Sequence, residues 1–191
     1  QELNPLQTTT YGTGELIKAA LDLEVAHIVI GIGGSATNDG GMGMAAALGV
    51  KFLDKDKNEL SPVGESLQYI SEIDMQGLDP RIAKTQIEVI CDVDNPLAGQ
   101  SGAAYVYAPQ KGASFEQVRK LDSGLVNLAN VIEKCLAKEV RLMPGAGAAG
   151  GLGAGLFAFL NAELRSGVEV MLDLVQMQAK LRDADLVITA E

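Results

Sequence analysis

The residues best suited to chemistry fall in three short stretches and one isolated lysine. The first stretch reads Ile28-Val-Ile-Gly31-Ile-Gly33-Gly34-Ser35-Ala36-Thr37-Asn38-Asp39-Gly40-Gly41. A β-branched run enters a glycine-rich loop, which can aim successive N–H groups at an anion, with Ser35, Thr37 and Asn38 adding side-chain donors. Asp39 is the one fixed negative charge there. In a phosphate site such a carboxylate holds Mg2+ or takes the proton of an attacking hydroxyl; the plainer reading is that Asn38 and Asp39 cap the next helix. The second stretch, Cys91-Asp92-Val93-Asp94-Asn95-Pro96, puts two carboxylates where a strand gives way to a turn. Open α/β sheets bind ligands at that edge. Asp92 and Asp94 can converge on one cation, or form two Asx turns ahead of Pro96.

The third stretch runs from Met143-Pro through Gly145-Ala-Gly147-Ala-Ala-Gly150-Gly151-Leu-Gly153-Ala-Gly155. Glycine inside a helix costs up to about 1 kcal/mol relative to alanine. Either a ligand approaches this backbone closely or the helix packs tightly; alanine would satisfy packing alone, which favours the ligand. Lys111, in Ala108-Pro-Gln-Lys-Gly112, can serve a phosphate as a point charge or lie on the surface. His27, the single histidine, opens a buried strand and reads as structural. A competing reading makes Gly31-x-Gly33-x-x-Ala36 a dinucleotide fingerprint, with Asp54 as the ribose-binding acid. Against it, Gly40, Gly41 and Gly43 keep the loop open where a dinucleotide helix should begin at once.

Positioning these residues takes an α/β framework. Apolar spacing predicts helices over Thr8–Glu24, Met44–Leu48, Phe115–Lys138, Ala148–Leu164 and Val168–Lys180. Short β-branched runs predict strands over Ala26–Ile30, Val50–Leu53, Gln86–Asp92 and Asp185–Thr189, with Leu67–Asp74 weakly extended and a turn at Leu78–Arg81. The alternation implies mostly parallel sheet covered by helices. A change of style after residue 52 divides the chain into 1–52, carrying the first glycine loop, and 53–191, carrying the second, with the last strand returning to the first unit.

Composition narrows the function classes. The 191 residues carry 15 Lys and Arg against 25 Asp and Glu, a net charge of −10, which argues against nucleic acid as the main partner. No apolar run is long enough to span a membrane. Only two cysteines, Cys91 and Cys135, are present, consistent with a reduced, cytoplasmic setting. Twelve of the 22 glycines lie in the two clusters, which marks two special backbone sites rather than general flexibility. Gln1 is not an initiator Met, and the sequence stops in a strand-like run, as a fragment would.

Taken together and in order, Asn4-Pro-Leu-x-Thr-Thr-Thr-Tyr-Gly-Thr-Gly14, Gly31–Gly41, Cys91–Pro96, Pro109-Gln-Lys-Gly112 and Gly145–Gly153 resemble the bacterial-type glycerate kinase family. The resemblance implies ATP-dependent phosphorylation of D-glycerate with Mg2+, by a two-domain α/β protein about twice this length that allows a homodimer. This chain resembles its middle, truncated at both ends. Ala190 stands where the family pattern has Gly. On this reading Asp39, Asp92, Asp94 and Lys111 are the catalytic candidates, with Asp92 and Asp94 toward the metal. Gly33, Gly34, Ser35, Thr37, Asn38, Gly145, Gly147, Gly150 and Gly151 are the nucleotide-binding candidates. None of the four arginines lies in a glycine motif, so the clamp for the glycerate carboxylate is expected from the missing parts.

Overall fold

The computed structural model describes residues 3–188. Helix α1 (Tyr11–Asp22) leads into strand β1 (His27–Gly31), and the first glycine loop leads into α2 (Met42–Ala47). A short antiparallel hairpin, β2 (Lys51–Leu53) with β3 (Glu72–Asp74), is followed by β4 (Gln86–Ile90), α3 (Ala103–Tyr107) and the long α4 (Phe115–Leu136). The chain continues through α5 (Ala148–Leu160), β5 (Glu163–Arg165), α6 (Gly167–Leu174) and α7 (Met177–Leu181). The main sheet is parallel, in the order β1-β4-β5. It therefore draws strands from both sides of residue 52. The protein is an α/β structure with helices packed on parallel sheet.

Local chemistry explains the best-defined elements. Ser114 and Gln117 form a reciprocal capping box that starts α4. Val118, Leu121, Leu125, Leu128 and Ile132, at three- and four-residue steps, make its buried face. Val89 and Ile87 of the central strand β4 are buried with them in one core. Phe52 meets Phe159 edge-on at 5.5 Å between ring centres, tying the hairpin to α5.

Several expected elements are altered. The segment expected to be weakly extended begins instead as a 3-10 turn over Gly64–Tyr69. Asn127 of α4 holds it, its Nδ2 donating to the Leu67 and Ile70 carbonyls. The helix expected to reach Leu164 stops at Leu160, because Lys138 Nζ donates to the carbonyls of Phe157 and Ala158 and Asn161 turns left-handed. The freed residues Glu163–Arg165 join the sheet as β5. The helix expected over Val168–Lys180 breaks at Gln176, with φ +52°. The expected terminal strand does not form over residues 185–188, where Leu186 and Ile188 are exposed and no strand pairs with them; Thr189 lies outside the described residues.

Candidate active site

Parallel pairing of β1 with β4 sets Gly31 opposite Ile90. The glycine loop and the Cys91–Pro96 loop therefore leave the same sheet edge side by side. Between them lies a cavity of about 320 Å3, walled by Gly31–Ser35, Ile90–Val93, Tyr107, Gln110, Lys111, Ala148 and Ala149.

Lys111 is the cation of this cavity. It ends the 3-10 turn Pro109–Lys111 and is only 5% exposed. Its Nζ donates to Ser35 Oγ at 2.8 Å and to the Thr37 carbonyl at 2.6 Å. Among the described residues it forms no ion pair. Burial pulls it down to about 8, with the charge of Asp39 opposing. A buried lysine without a carboxylate partner is a ready receptor for an anion.

The other candidates divide between wall and scaffold. Asp92 lines the cavity, but its Oδ1 already accepts from the Gly167 N–H at 2.7 Å, at the start of α6. One oxygen remains for a ligand. Asp94 is exposed and does not line the cavity. Asp39 is fully buried away from the cavity. Its Oδ2 accepts from Thr10 N at 2.7 Å, Thr10 Oγ1 at 2.8 Å and Gly43 N at 3.1 Å, and its Oδ1 from Gly41 N at 3.2 Å. It pins the start of α1 to the start of α2. Burial raises its carboxyl above the usual range, and these four bonds work against that rise. Asn38, beside it, is also fully buried, and its carboxamide finds no hydrogen-bond partner among the described residues.

The glycines also divide. Gly33, Gly34 and Ser35 face the cavity. Gly145, Gly147, Gly150 and Gly151 do not line it; they let backbones touch. A Cβ on Gly147 would sit 2.2 Å from the Pro96 carbonyl oxygen, one on Gly150 2.0 Å from that of Thr37, and one on Gly151 2.8 Å from Gly40 Cα. Alanine would not satisfy this packing, because there is no room for a methyl group. The second cluster thus supports the first loop from behind, and only Ala148 and Ala149 reach the cavity. Thr37 lines a second cavity of about 250 Å3 across the loop, together with Thr9, Thr10, Thr13 and Ser35.

Three polar side chains of the wall, Cys91, Tyr107 and Gln110, were not among the sequence candidates. Tyr107 donates its hydroxyl to Asn95 Oδ1 at 2.6 Å, while Asn95 Nδ2 donates to the Ser101 carbonyl at 2.8 Å. The role of Asn95 is thus to tie the carboxylate loop to α3. Burial raises both Tyr107 and Cys91, so each stays protonated near neutrality. Gln110, the third, precedes Lys111; its place beside the lysine was the available signal. The dinucleotide reading loses its acid: Asp54 sits in the hairpin turn after β2, its Oδ1 accepting from Asp56 and Asn58 N–H groups.

Fold and site define an α/β protein with a cavity at its parallel sheet edge, built from a glycine loop and a buried lysine. The chain belongs to the glycerate kinase family, whose model matches residues 1–191. It is 53% identical over 191 residues to a glycerate kinase of Halalkalibacterium halodurans, covering all of this chain and 50% of that protein. It is 50% identical over 191 residues to a glycerate 2-kinase of Escherichia coli, again over 50% of the relative. A crystal structure of a glycerate kinase 2 candidate from Salmonella typhimurium LT2 matches with a TM-score of 0.93 and 50% identity, over 98% of this chain and 50% of that one. The chain thus spans about half the length of the curated relatives it matches.

Proposed function

We propose that this chain carries the phosphate-handling part of an enzyme that phosphorylates D-glycerate at the expense of ATP. The observation that carries the reading is Lys111: a buried cation with no carboxylate partner among the described residues, reaching a glycine loop at the sheet edge where α/β proteins bind ligands. The curated relatives named glycerate kinase support the same reading. Lys111 and the N–H groups of Gly33 and Gly34 would hold the transferring phosphate and meet the charge that develops on it.

Mg2+ usually needs only one or two protein carboxylates when phosphates supply the rest of its shell. Asp92, with one oxygen still available on the cavity wall, fits that requirement. When bound, the ion would neutralise charge on the phosphates. Asp94, two residues further on and exposed, is the second candidate. Asp39 acts as a positioning residue, holding the loop that carries Ser35. Cys91 and Tyr107 supply neutral walls.

Calorimetric titration of Mg-ATP into the chain tests this reading. Saturable binding is expected, weakened about 10- to 100-fold in Lys111→Met, the size of a lost charge-assisted contact of roughly 1.5–3 kcal/mol. Saturable NADH binding with no ATP binding would overturn it.

A further inference from the structure

The glycine loop separates two cavities. The larger holds Lys111 and Asp92; the smaller is lined by hydroxyls, with Thr9, Thr13 and Thr37 around it and no charged side chain. Five residues line both: Gly31, Ile32, Gly33, Ser35 and Ala149. Only Ser35 among them carries a nucleophile, and its Oγ lies 2.8 Å from Lys111 Nζ. A serine that touches a lysine and faces two cavities is placed to receive a group from one and pass it to the other.

We propose that Ser35 is a covalent nucleophile with Lys111 as its base, relaying a phosphoryl group from a nucleoside triphosphate in the Lys111 cavity to a small polyhydroxy acceptor in the hydroxyl-lined cavity. This rests on the phosphoryl-transfer reading above. In the first half, the Ser35 Oγ–P bond forms and the bond from phosphorus to the bridging oxygen breaks. The electron pair leaves with the nucleoside diphosphate, and the serine proton passes to Lys111 Nζ. In the second half an acceptor hydroxyl oxygen attacks phosphorus and the Oγ–P bond breaks. Lys111 then returns its proton to Ser35, and the acceptor's own proton is the one that the overall transfer releases.

The hydrogen bonds fit this role. Lys111 Nζ donates to both Ser35 Oγ and the Thr37 carbonyl; once it loses a proton, the amine can keep its bond to the Thr37 carbonyl and turn its lone pair to the Ser35 hydroxyl 2.8 Å away. Burial lowers Lys111 to about 8, so a neutral fraction is present near physiological pH. After the step the lysine is cationic beside the new phosphoserine. The hydroxyls of the second cavity suit a ligand that offers several hydroxyls of its own. The other titratable groups nearby are Asp92, Cys91 and Tyr107 on the wall and Asp39 behind the loop. Cys91 and Tyr107 are pushed up from their ordinary values and stay protonated at pH 8, so a change in rate near that pH reports Lys111.

The test uses two phosphorylating reagents without glycerate: Mg-ATP labelled in its γ-phosphate, and diisopropyl fluorophosphate, from which fluoride leaves. Peptide mass mapping reads the site. One group per chain on Ser35 is expected from each reagent, with Mg-ATP held at saturation at every pH, and at a rate that for the fluorophosphate rises through about pH 8. Lys111→Met should slow labelling by about 100-fold or more, the usual worth of a positioned base. Ser35→Ala should take no label; if it does not fold, mapping on the native chain decides. ATP binding by calorimetry with no label on Ser35 from ATP would overturn the relay and leave the kinase reading standing, whatever the fluorophosphate does. Fluorophosphate label on Ser35 with no ATP binding would support the nucleophile–base pair and overturn the nucleotide reading. No binding and no label would overturn both.

Discussion

Gly150→Ala probes the contact on which the glycine loop depends. Gly150 has φ +70°, and a Cβ built there lies 2.0 Å from the Thr37 carbonyl oxygen and 2.8 Å from Asn38 Cα. Both are backbone atoms, so no side chain can swing aside. Relief requires the loop to retreat by about an ångström, and the Thr37 carbonyl is also the 2.6 Å acceptor for Lys111. Overpacking of this kind costs about 1–3 kcal/mol, and a left-handed alanine adds roughly 1 kcal/mol. The sum, about 2–4 kcal/mol, lowers Tm by roughly 5–15 °C for a chain of this size. Gly12→Ala is the control: nothing lies within 4 Å of its added Cβ, and it sits in α1. That change should stabilise by about 0.5–1 kcal/mol. Circular-dichroism melts and Mg-ATP titrations of both variants provide the comparison. If Gly150→Ala melts within about 2 °C of the native chain and binds Mg-ATP equally well, the view that the second glycine cluster supports the first is wrong.

Asp39→Ala should cost at least about 3 kcal/mol in urea unfolding, since it leaves four buried donors without an acceptor at about 1–3 kcal/mol each. The exposed Asp94→Ala should stay within about 0.5 kcal/mol. The affinity for Mg-ATP should fall as pH rises through about 8, where Lys111 loses its charge. Stability runs the other way. Between about 8 and the ordinary lysine value of 10.5 the unfolded chain binds that proton more tightly, so the native protein gains stability relative to Lys111→Met as pH rises. Parallel melts of the two at pH 7, 9 and 10 would read the difference. Lys138→Met should lower stability by about 1–2 kcal/mol, because two carbonyls at the end of α5 lose their donor.

The sequence by itself determined the helical and strand segments whose periodicity is strong. The stripe of α4 and the apolar run of β4 are legible because burial of an apolar face dictates which residues recur; β1 is legible from its β-branched residues alone, since its residues are half-buried or exposed and His27 does not open a buried strand. It also marked Lys111, Ser35 and Asp92 as chemically apt, from residue type and from their place near glycine or at a strand's exit. Three-residue β5 was not legible, because Glu163–Arg165 has no pattern of its own and becomes a strand only by pairing with β4. The two glycine clusters read alike in sequence, yet one faces the cavity and the other packs behind it. Likewise Asp39 and Asp92 are both acids beside a plausible phosphate site, and only the path of the chain decides that one is consumed by four N–H and O–H donors while the other keeps a free oxygen. Local composition sets what a residue can do; the long-range contacts between residues 31–41 and 145–155 set which of those residues face the cavity.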